Sequence, residues 1–556
     1  MTAIQTREYW SPYSDDVATY GKAAHAAGAA AFHAMLGQPL ELHQPGVDGV
    51  VGPAPVDGGE RSPYGITLRV SYPHVDPLVL LPEMGAAMST WRTAGPLVRA
   101  AVCLEILTRI HARSFEFAYA AMHTSGHGFL MGFHAGAAHA LDRGLEAVAY
   151  AYAEQTRLPA RVTWTKRPGP TAEPVVMTKS FQTVPRGVSL LLGCATFATW
   201  NGYPGLFASL ATGNAVLVKP HQWSVLPLAM TVQIAREVLR ETGFSLNLVC
   251  LAAELPGEGL GKVLAARAEI RIVDHAGSGP LGQWLLANAP QARVYTFTGG
   301  VNSVLVDSTD DYRGMLANLA LTLCLYSGQL PTSPQNLLIP RRGIDTDEGP
   351  KGFDRVTGDL VAAIRTLLAD AEQAPALLGA IIGPGGRACL RHANSGALGK
   401  VLLASHPVAH PEFVDAQIHS PVLLELDANN PAARETMATD HSGPCYFAVA
   451  VDSTEVGIAV LRDLVRRKGA MVLGAYTTAP EVERELVNAC ADVGVSLALN
   501  LTGDWFLTQS AVYSDLHGTG ANPASNASFC DGAFVADRFR TVQVSKPLHP
   551  GLAQKL

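Results

Sequence analysis

The chain has 556 residues, of which 48% are hydrophobic and 16% charged, and its formal net charge is -7. That length permits two large α/β domains with filled cores plus smaller attached pieces, and an acidic balance without a basic cluster argues against nucleic acid as a partner. No apolar run approaches the roughly 18–20 residues of a membrane span, and "MTAIQTREYWSPYSDD" lacks a basic region followed by an apolar one, so a cytoplasmic protein is expected. Residues 1 to about 60, rich in Ala, Gly and Pro, read as an irregular N-terminal extension. From Trp91 to about Met122 apolar residues recur every three to four positions, which predicts a long helical block. His123, His127 and His134 follow in "MHTSGHGFLMGFHAG", a helical stretch without Cys or carboxylate companions, so no metal is expected there.

From Pro185 the pattern changes to alternating strands and helices. "GVSLLLG" is an apolar run of buried-strand length, followed by the small-residue helix "YPGLFASLAT" and the strand "NAVLVKP". The helix "SVLPLAMTVQIAREVLRETG", stopped by Gly243, leads to "NLVCLAA", and "IRIVDHAGS", "PLGQWLLANA" and "RVYTF" complete the series. Repeated βαβ units with strands apolar on both faces imply a parallel sheet covered by helices on both sides. Ligands in such sheets bind beyond the carboxyl ends of the strands. Two turns stand there, "VKPHQ" and "HAGSGPLG", the second leading into a helix whose free N–H groups suit a phosphate. A second α/β half begins near residue 300 with "NSVLVDS", continues through the loop "LYSGQLPTSPQN", and runs to "YFAVAVDS" and "GAMVLGAYT". The eight cysteines lie in apolar segments without CxxC or Cys/His metal spacing, which reads as buried reduced thiols.

"ATGNAVLVKP", "AGSGPLG", "TGGVNSVLVDS", "GQLPTSPQNLLIP" and "SGPCYF", in this order, resemble the aldehyde dehydrogenase superfamily. "ERSPYGITLRVSYPHVDP", "DRGLEAVAYAY", "TWNGYPGLFASLATGN" and "SDLHGTGANPASNAS" resemble its phenylacetate-degradation branch, the PaaN type. The resemblance runs from about residue 60 to about 545. It implies an α/β fold: a Rossmann-type doubly wound cofactor domain over 61–296, a catalytic-type α/β domain over 297–505, and a segment over 506–556 that returns to the cofactor domain. It also implies a β-hairpin oligomerisation arm at about 158–184, within "ARVTWTKRPGPTAEPVVMTKSFQTV", and hence a homodimer or homotetramer.

Members of the superfamily oxidise aldehydes with NAD(P): a cysteine thiolate attacks the aldehyde, a hydride passes to the nicotinamide, and a glutamate activates water. By resemblance the cysteine position is Pro331 and the glutamate position Phe297. Proline offers no nucleophile, although its fixed φ suits a first helical turn, and phenylalanine moves no proton. Cys324 lies seven residues before Pro331, roughly 10 Å along a helix, and Cys194 in "GCATFATWNG" reads as packing. Thr196 aligns with the oxyanion-stabilising asparagine, and Asn201 is a nearby alternative donor. On the cofactor side Lys219 matches the ribose lysine and suits a 2′-phosphate as well. Gln222 replaces an acidic ribose ligand, and Gly277 and Ser278 match the pyrophosphate and nicotinamide turn. Asp440 replaces the nicotinamide-ribose glutamate, and Ser442 a phenylalanine. NADP or NAD is therefore the implied cofactor, with no metal.

The substitutions also add polar groups. His275 with Asp440 reads either as a new acid–base pair, with Thr196 or Asn201 as hydrogen-bond donors, or as drift in a relaxed pocket. Three functions stay open. One is a repurposed enzyme acting without thiol chemistry on an aromatic-derived or semialdehyde-like carbonyl compound. The others are a catalytically inert binding or assembly subunit, and a dehydrogenase with a displaced nucleophile.

Overall fold

The computed structural model describes residues 1–52, 59–505, 512–513, 516–529 and 531–548. A five-stranded parallel sheet is ordered Val249–Leu251, Val216–Lys219, Val188–Leu192, Ile270–Ala276, Arg293–Phe297. Every residue of "VSLLL" and "VLVK" is buried, as a sheet covered on both faces demands. The helices Ala198–Ala211 and Leu226–Glu241 supply part of that cover, and the second ends beside Gly243 with φ 77°. The chain builds outward from Val188–Leu192 through Val216–Lys219 to Val249–Leu251, then returns to the opposite side with Ile270–Ala276. The order reverses between the strands that pair Leu192 with His275, and a crevice opens beyond their carboxyl ends.

A second sheet of seven strands runs Lys400–Leu403, Val422–Asp427, Cys445–Val451, Asn336–Pro340, Ser303–Val306, Val472–Tyr476, Ser496–Leu499; only the edge strand Lys400–Leu403 is antiparallel. A three-stranded antiparallel sheet joins Phe539–Pro547 to Val175–Pro185 and Arg161–Lys166. The fold is that of an α/β protein with a Rossmann-like parallel-sheet domain and a second α/β domain. Among the described residues, no helix is long and apolar enough to cross a membrane, and no group of three or more His, Cys, Asp or Glu is placed to hold a metal ion. Cys530 lies outside the described residues.

Two parts of the N-terminal region depart from expectation. Residues 1–60 are not irregular throughout: Gly21–Met35 is a helix, and Val47–Val51 pairs antiparallel with Tyr72–Val75. The run "KAAHAAGAAAF" is dominated by alanine, the strongest helix former. Gly28 lets this helix approach closely, since a Cβ there would stand 2.3 Å from that of Phe115. The block expected over 91–122 is three helices, Pro77–Thr93, Gly95–His111 and Ser114–Ser125, with Gly95 and Gly126 at positive φ where the chain turns.

The helix His139–Thr156 buries Asp142, which accepts a hydrogen bond from Ser11. Burial pushes its pKa from 3.8 to about 7, against the Ser11 hydrogen bond and the His139 and Arg143 charges. The folded state therefore holds a proton that the unfolded chain releases. The resulting penalty is absent below the unfolded value of 3.8, grows as pH rises, and is complete above about 7. Asn mimics the protonated acid. Asp142→Asn is therefore expected to stabilise the protein above neutral pH by about 2–4 kcal/mol and to have little effect in acid, as read from denaturant midpoints at the two pH values.

Candidate active site

A cavity of about 550 Å³ opens at the carboxyl ends of the first sheet and runs between the two sheets. Its cofactor-side wall contains Gly193, Lys219, Trp223, His275, Gly277 and Ser278. Pro331, Phe297, Thr196 and Asn201 line the same cavity, as do Asp440 and Ser442 from the second domain. The structure thus gathers the sequence candidates around one space, with one exception. Gln222, half-exposed in the turn after Lys219, is not among its lining residues.

Lys219 carries a partner that the sequence reading missed. Its Nζ lies 2.7 Å from Glu254 Oε1, both side chains being 11% exposed, and Glu254 Oε2 is buried without a hydrogen bond. Glu254 stands just past Val249–Leu251, the strand adjacent to Val216–Lys219, so parallel pairing alone brings the two strand ends together. Gly277, with φ 149°, leads from strand into the helix Gly279–Asn288. Ser278 caps that helix without a side-chain hydrogen bond, and a Cβ at Gly279 would meet nothing within 4 Å. An open, N–H-rich turn beside a Lys–Glu pair with a spare oxygen fits the pyrophosphate and ribose of a dinucleotide.

The loop Leu325–Pro331 is held in an unusual shape. Tyr326, Ser327 and Gly328 have φ of 51°, 50° and 63°. For the two non-glycine residues that conformation costs about 1–3 kcal/mol each and persists only where the surroundings enforce it. They do: Ser327 Oγ donates to Leu378 O at 2.9 Å, and Tyr326 OH donates to Ser125 O. Gln329 Nε2 donates to Ala380 O at 3.1 Å, and its Oε1 accepts from Ile382 N at 3.0 Å. Pro331 opens no helix; it sits in a turn, its carbonyl accepting from Asn302 Nδ2 at 2.8 Å. Asn302, which sequence reasoning passed over, also accepts from Met471 N and Val472 N, so one side chain ties the loop to the start of the strand Val472–Tyr476.

Phe297 ends the last strand of the first sheet in an aromatic cluster. Its ring centroid lies 3.5 Å from that of Phe529, which stacks on His517, and His517 in turn packs edge-on against Trp200 at 4.5 Å. Burial pushes the His517 pKa down to about 3, so it is a neutral ring in this wall. Among the described residues, the rings packed on Phe297 are those of Phe529, Phe534 and His517. Cys194, which lines the cavity together with Cys445, accepts from Phe197 N and Asn201 Nδ2, both at 3.4 Å. Cys324 is buried at the end of Tyr312–Cys324, its thiol pushed up to about 12 by burial.

His275 and Asp440 face the cavity without meeting. His275 Nε2 donates to Ser278 O at 3.1 Å, its Nδ1 is buried without a partner, and burial lowers its pKa. The Asp440 pKa is raised by desolvation, and the charges acting on it are His441 and Cys389. The three histidines near residue 130 diverge. His123 bonds Ser62 Oγ, His127 donates to Thr196 O at 2.6 Å, and His134 donates to Asp15 O.

The family model described as the aldehyde dehydrogenase family matches residues 81–383, more than half of the chain. The chain belongs to the aldehyde dehydrogenase family. A solved structure similar to this family member is an NAD-dependent aldehyde dehydrogenase from Burkholderia multivorans, 46% identical, covering 99% of this chain and 97% of that one with a TM-score of 0.95. A Thermus 1-pyrroline-5-carboxylate dehydrogenase with bound NAD shares the fold, with a TM-score of 0.75 at 17% identity over 97% of this chain and 99% of that one. An aldehyde dehydrogenase from a Fusarium species is 25% identical over 147 residues, 26% of this chain. The chain spans 30% of the length of that curated relative.

Proposed function

We propose that this aldehyde dehydrogenase family member binds a nicotinamide dinucleotide and works without the cysteine and glutamate of aldehyde oxidation. Its substrate is then an aromatic-derived or semialdehyde-like carbonyl compound of the phenylacetate-degradation type. The observation that carries this reading is the pairing of an open cavity and dinucleotide-binding groups with Pro331 and Phe297 in its walls. A bound nicotinamide supplies or accepts a hydride. The chain's own residues do the rest. Phe297 and His517 line the cavity, with Phe529 packed against both rings, and offer apolar faces to an aromatic ring. Thr196 and Asn201 provide hydrogen-bonding side chains for a carbonyl oxygen. Asp440, its pKa raised, is the cavity's proton donor or acceptor. Titration calorimetry with NADH, followed by assays for NADH-dependent reduction of aromatic carbonyl compounds, tests the proposal. Absence of dinucleotide binding at millimolar concentration refutes it and leaves the binding or assembly subunit. The observation favouring that second reading is that His275 and Asp440 share no hydrogen bond.

The Lys219–Glu254 pair bears on cofactor choice. Paired with a carboxylate, Lys219 is a poor receptor for a 2′-phosphate, and the Glu254 carboxylate repels one, so NAD is favoured over NADP. Glu254→Gln is expected to shift the NAD-to-NADP affinity ratio toward NADP by about tenfold, or ~1.4 kcal/mol, measured by binding. An unchanged ratio places the ribose elsewhere.

A homodimer or homotetramer belongs to the same proposal. The sheet built from Phe539–Pro547, Val175–Pro185 and Arg161–Lys166 leaves Trp164, Val175, Val542 and Val544 at least 36% exposed. Exposed apolar edges of a thin ribbon call for a partner surface. Light scattering at micromolar concentration is expected to give a dimer or tetramer mass, and a monomer would contradict it.

A further inference from the structure

The helix Gly383–Asn394, the strand Cys445–Val451 and the loop before that strand bring two cysteines and a histidine together at the cavity wall. Cys389 Sγ lies 3.9 Å from His441 Nδ1. The helix packs against the strand that Cys445 opens, and a Cβ at Gly443 would stand 3.3 Å from the Cα of Gly386, one helical turn before Cys389. His441 Nε2 is 3.0 Å from Thr436 O. A carbonyl only accepts, so Nε2 carries the hydrogen and Nδ1 is the bare nitrogen facing Cys389, set to take its proton. Asp440, next in sequence, adds a carboxylate that favours the imidazolium. The outcome separates Cys389 from other cysteines of the chain. Burial raises Cys103, Cys250, Cys324 and Cys490 above the ordinary thiol range. The Cys389 thiol, by contrast, is lowered by its contact with Cys445 and by His441 and His392, against its partial burial. Burial pulls the His441 pKa down, but the contacts with Cys389, the Thr436 carbonyl and Asp440 outweigh it. The Cys445 thiol is raised and keeps its proton. Cys389 is half-buried rather than sealed, whereas Cys445 is buried within the wall.

We propose that Cys389 and Cys445 form a peroxide-reactive dithiol, with Cys389 as the attacking thiolate and Cys445 as the resolving thiol. The Cys389 sulfur attacks one oxygen of a hydroperoxide, forming an S–O bond as the O–O bond breaks. The departing alkoxide takes the proton held on His441 and leaves as an alcohol, or as water from hydrogen peroxide. The Cys445 sulfur then attacks the sulfenic sulfur of Cys389, the S–S bond forms, and hydroxide leaves with the Cys445 proton as water. Two thiols are oxidised by two electrons and one hydroperoxide is reduced. Ile382, Gly385 and Gly386 from one partner element line the cavity, as do Asp440, His441 and Cys445 from the other side, so the disulfide staples two of its walls.

The inference does not depend on the reaction assigned to the cavity, and its test needs no substrate. Reduced full-length protein is treated briefly with hydrogen peroxide, alkylated, and mapped by mass spectrometry without reduction. A Cys389–Cys445 linked peptide is expected, with two of the eight cysteines of the chain lost to alkylation and both regained after a dithiol reductant. Cys445→Ser is expected to stop at a sulfenic acid on Cys389, trapped by dimedone. His441→Gln is expected to slow Cys389 oxidation at least about tenfold by lowering its thiolate fraction. Cys389 remaining alkylatable while other cysteines oxidise, or becoming linked to any cysteine but Cys445, overturns the proposal.

Discussion

Replacement of Arg538 by methionine is expected to cost the protein about 3–5 kcal/mol, because it strands a buried carboxylate. Arg538 is fully buried, with Nη1 2.8 Å from Asp274 Oδ2 and Nη2 2.5 Å from Asp274 Oδ1. Nη1 also donates to Ser209 Oγ at 2.7 Å and Nε to Phe534 O at 3.1 Å, and the guanidinium lies over the rings of Phe534 and Tyr295. The pair fastens the chain just before the arm strand Phe539–Pro547 to the strand that carries His275. Gly205 makes room for it, since a Cβ there would stand 2.6 Å from the Asp274 carboxyl carbon. Removing both charges, as in Asp274→Leu with Arg538→Met, is expected to recover much of the loss, because no uncompensated charge then stays buried. Denaturant midpoints of the single and double variants make the comparison. A single variant as stable as the parent would show that the pair adds nothing to the fold.

Installing a thiol and a carboxylate at the two positions proposed for them is the second large effect. Pro331→Cys with Phe297→Glu is expected to bring NAD-dependent oxidation of aromatic aldehydes, because the loop that would present the thiol is already formed. Tyr326, Ser327 and Gln329 are fixed by contacts that do not involve the position 331 side chain. Pro331→Cys alone is expected to turn over more slowly than the double variant by about 10²–10⁴-fold, the usual worth of a general base. Phe297→Glu alone is expected to be inert. The double variant loses the contact with Phe529, so its fold is checked by circular dichroism before its rate is read. A folded double variant that binds dinucleotide but oxidises no aldehyde would contradict the assignment of these two positions.

Much of this was legible in the sequence because the relevant signals are local. Runs such as "VSLLL" and "VLVK" can satisfy their apolar side chains only in a sheet buried on both faces, and the intervening helices follow from their period. The stretch of about 158–184 expected as a hairpin contains Arg161–Lys166 and most of Val175–Pro185, which pair antiparallel. The N-terminal residues were misjudged because an Ala- and Gly-rich run is ambiguous until Gly28 is seen against Phe115. The cavity positions came from ordered motifs, whereas the groups that complete them are distant in sequence. Glu254 meets Lys219 only through the pairing of adjacent strands, and His517 reaches Phe297 from the C-terminal segment. Cys389 and His441 are 52 residues apart, and no spacing rule joins a helix to a loop before a strand. His275 and Asp440 show the reverse, two motifs that converge on one cavity while their side chains find different partners.

The measurement that bears most directly on the central claim is the time course of NADH formation when the purified protein is mixed with NAD and an aliphatic or aromatic aldehyde. Thiol-based oxidation gives a rapid phase equal to the concentration of sites, followed by steady turnover. With Pro331 and Phe297 in the cavity wall, neither phase is expected, although the same sample binds NADH. A rapid phase stoichiometric with the protein, persisting after removal of host dehydrogenases, would show that a nucleophile operates in this cavity and contradict the account.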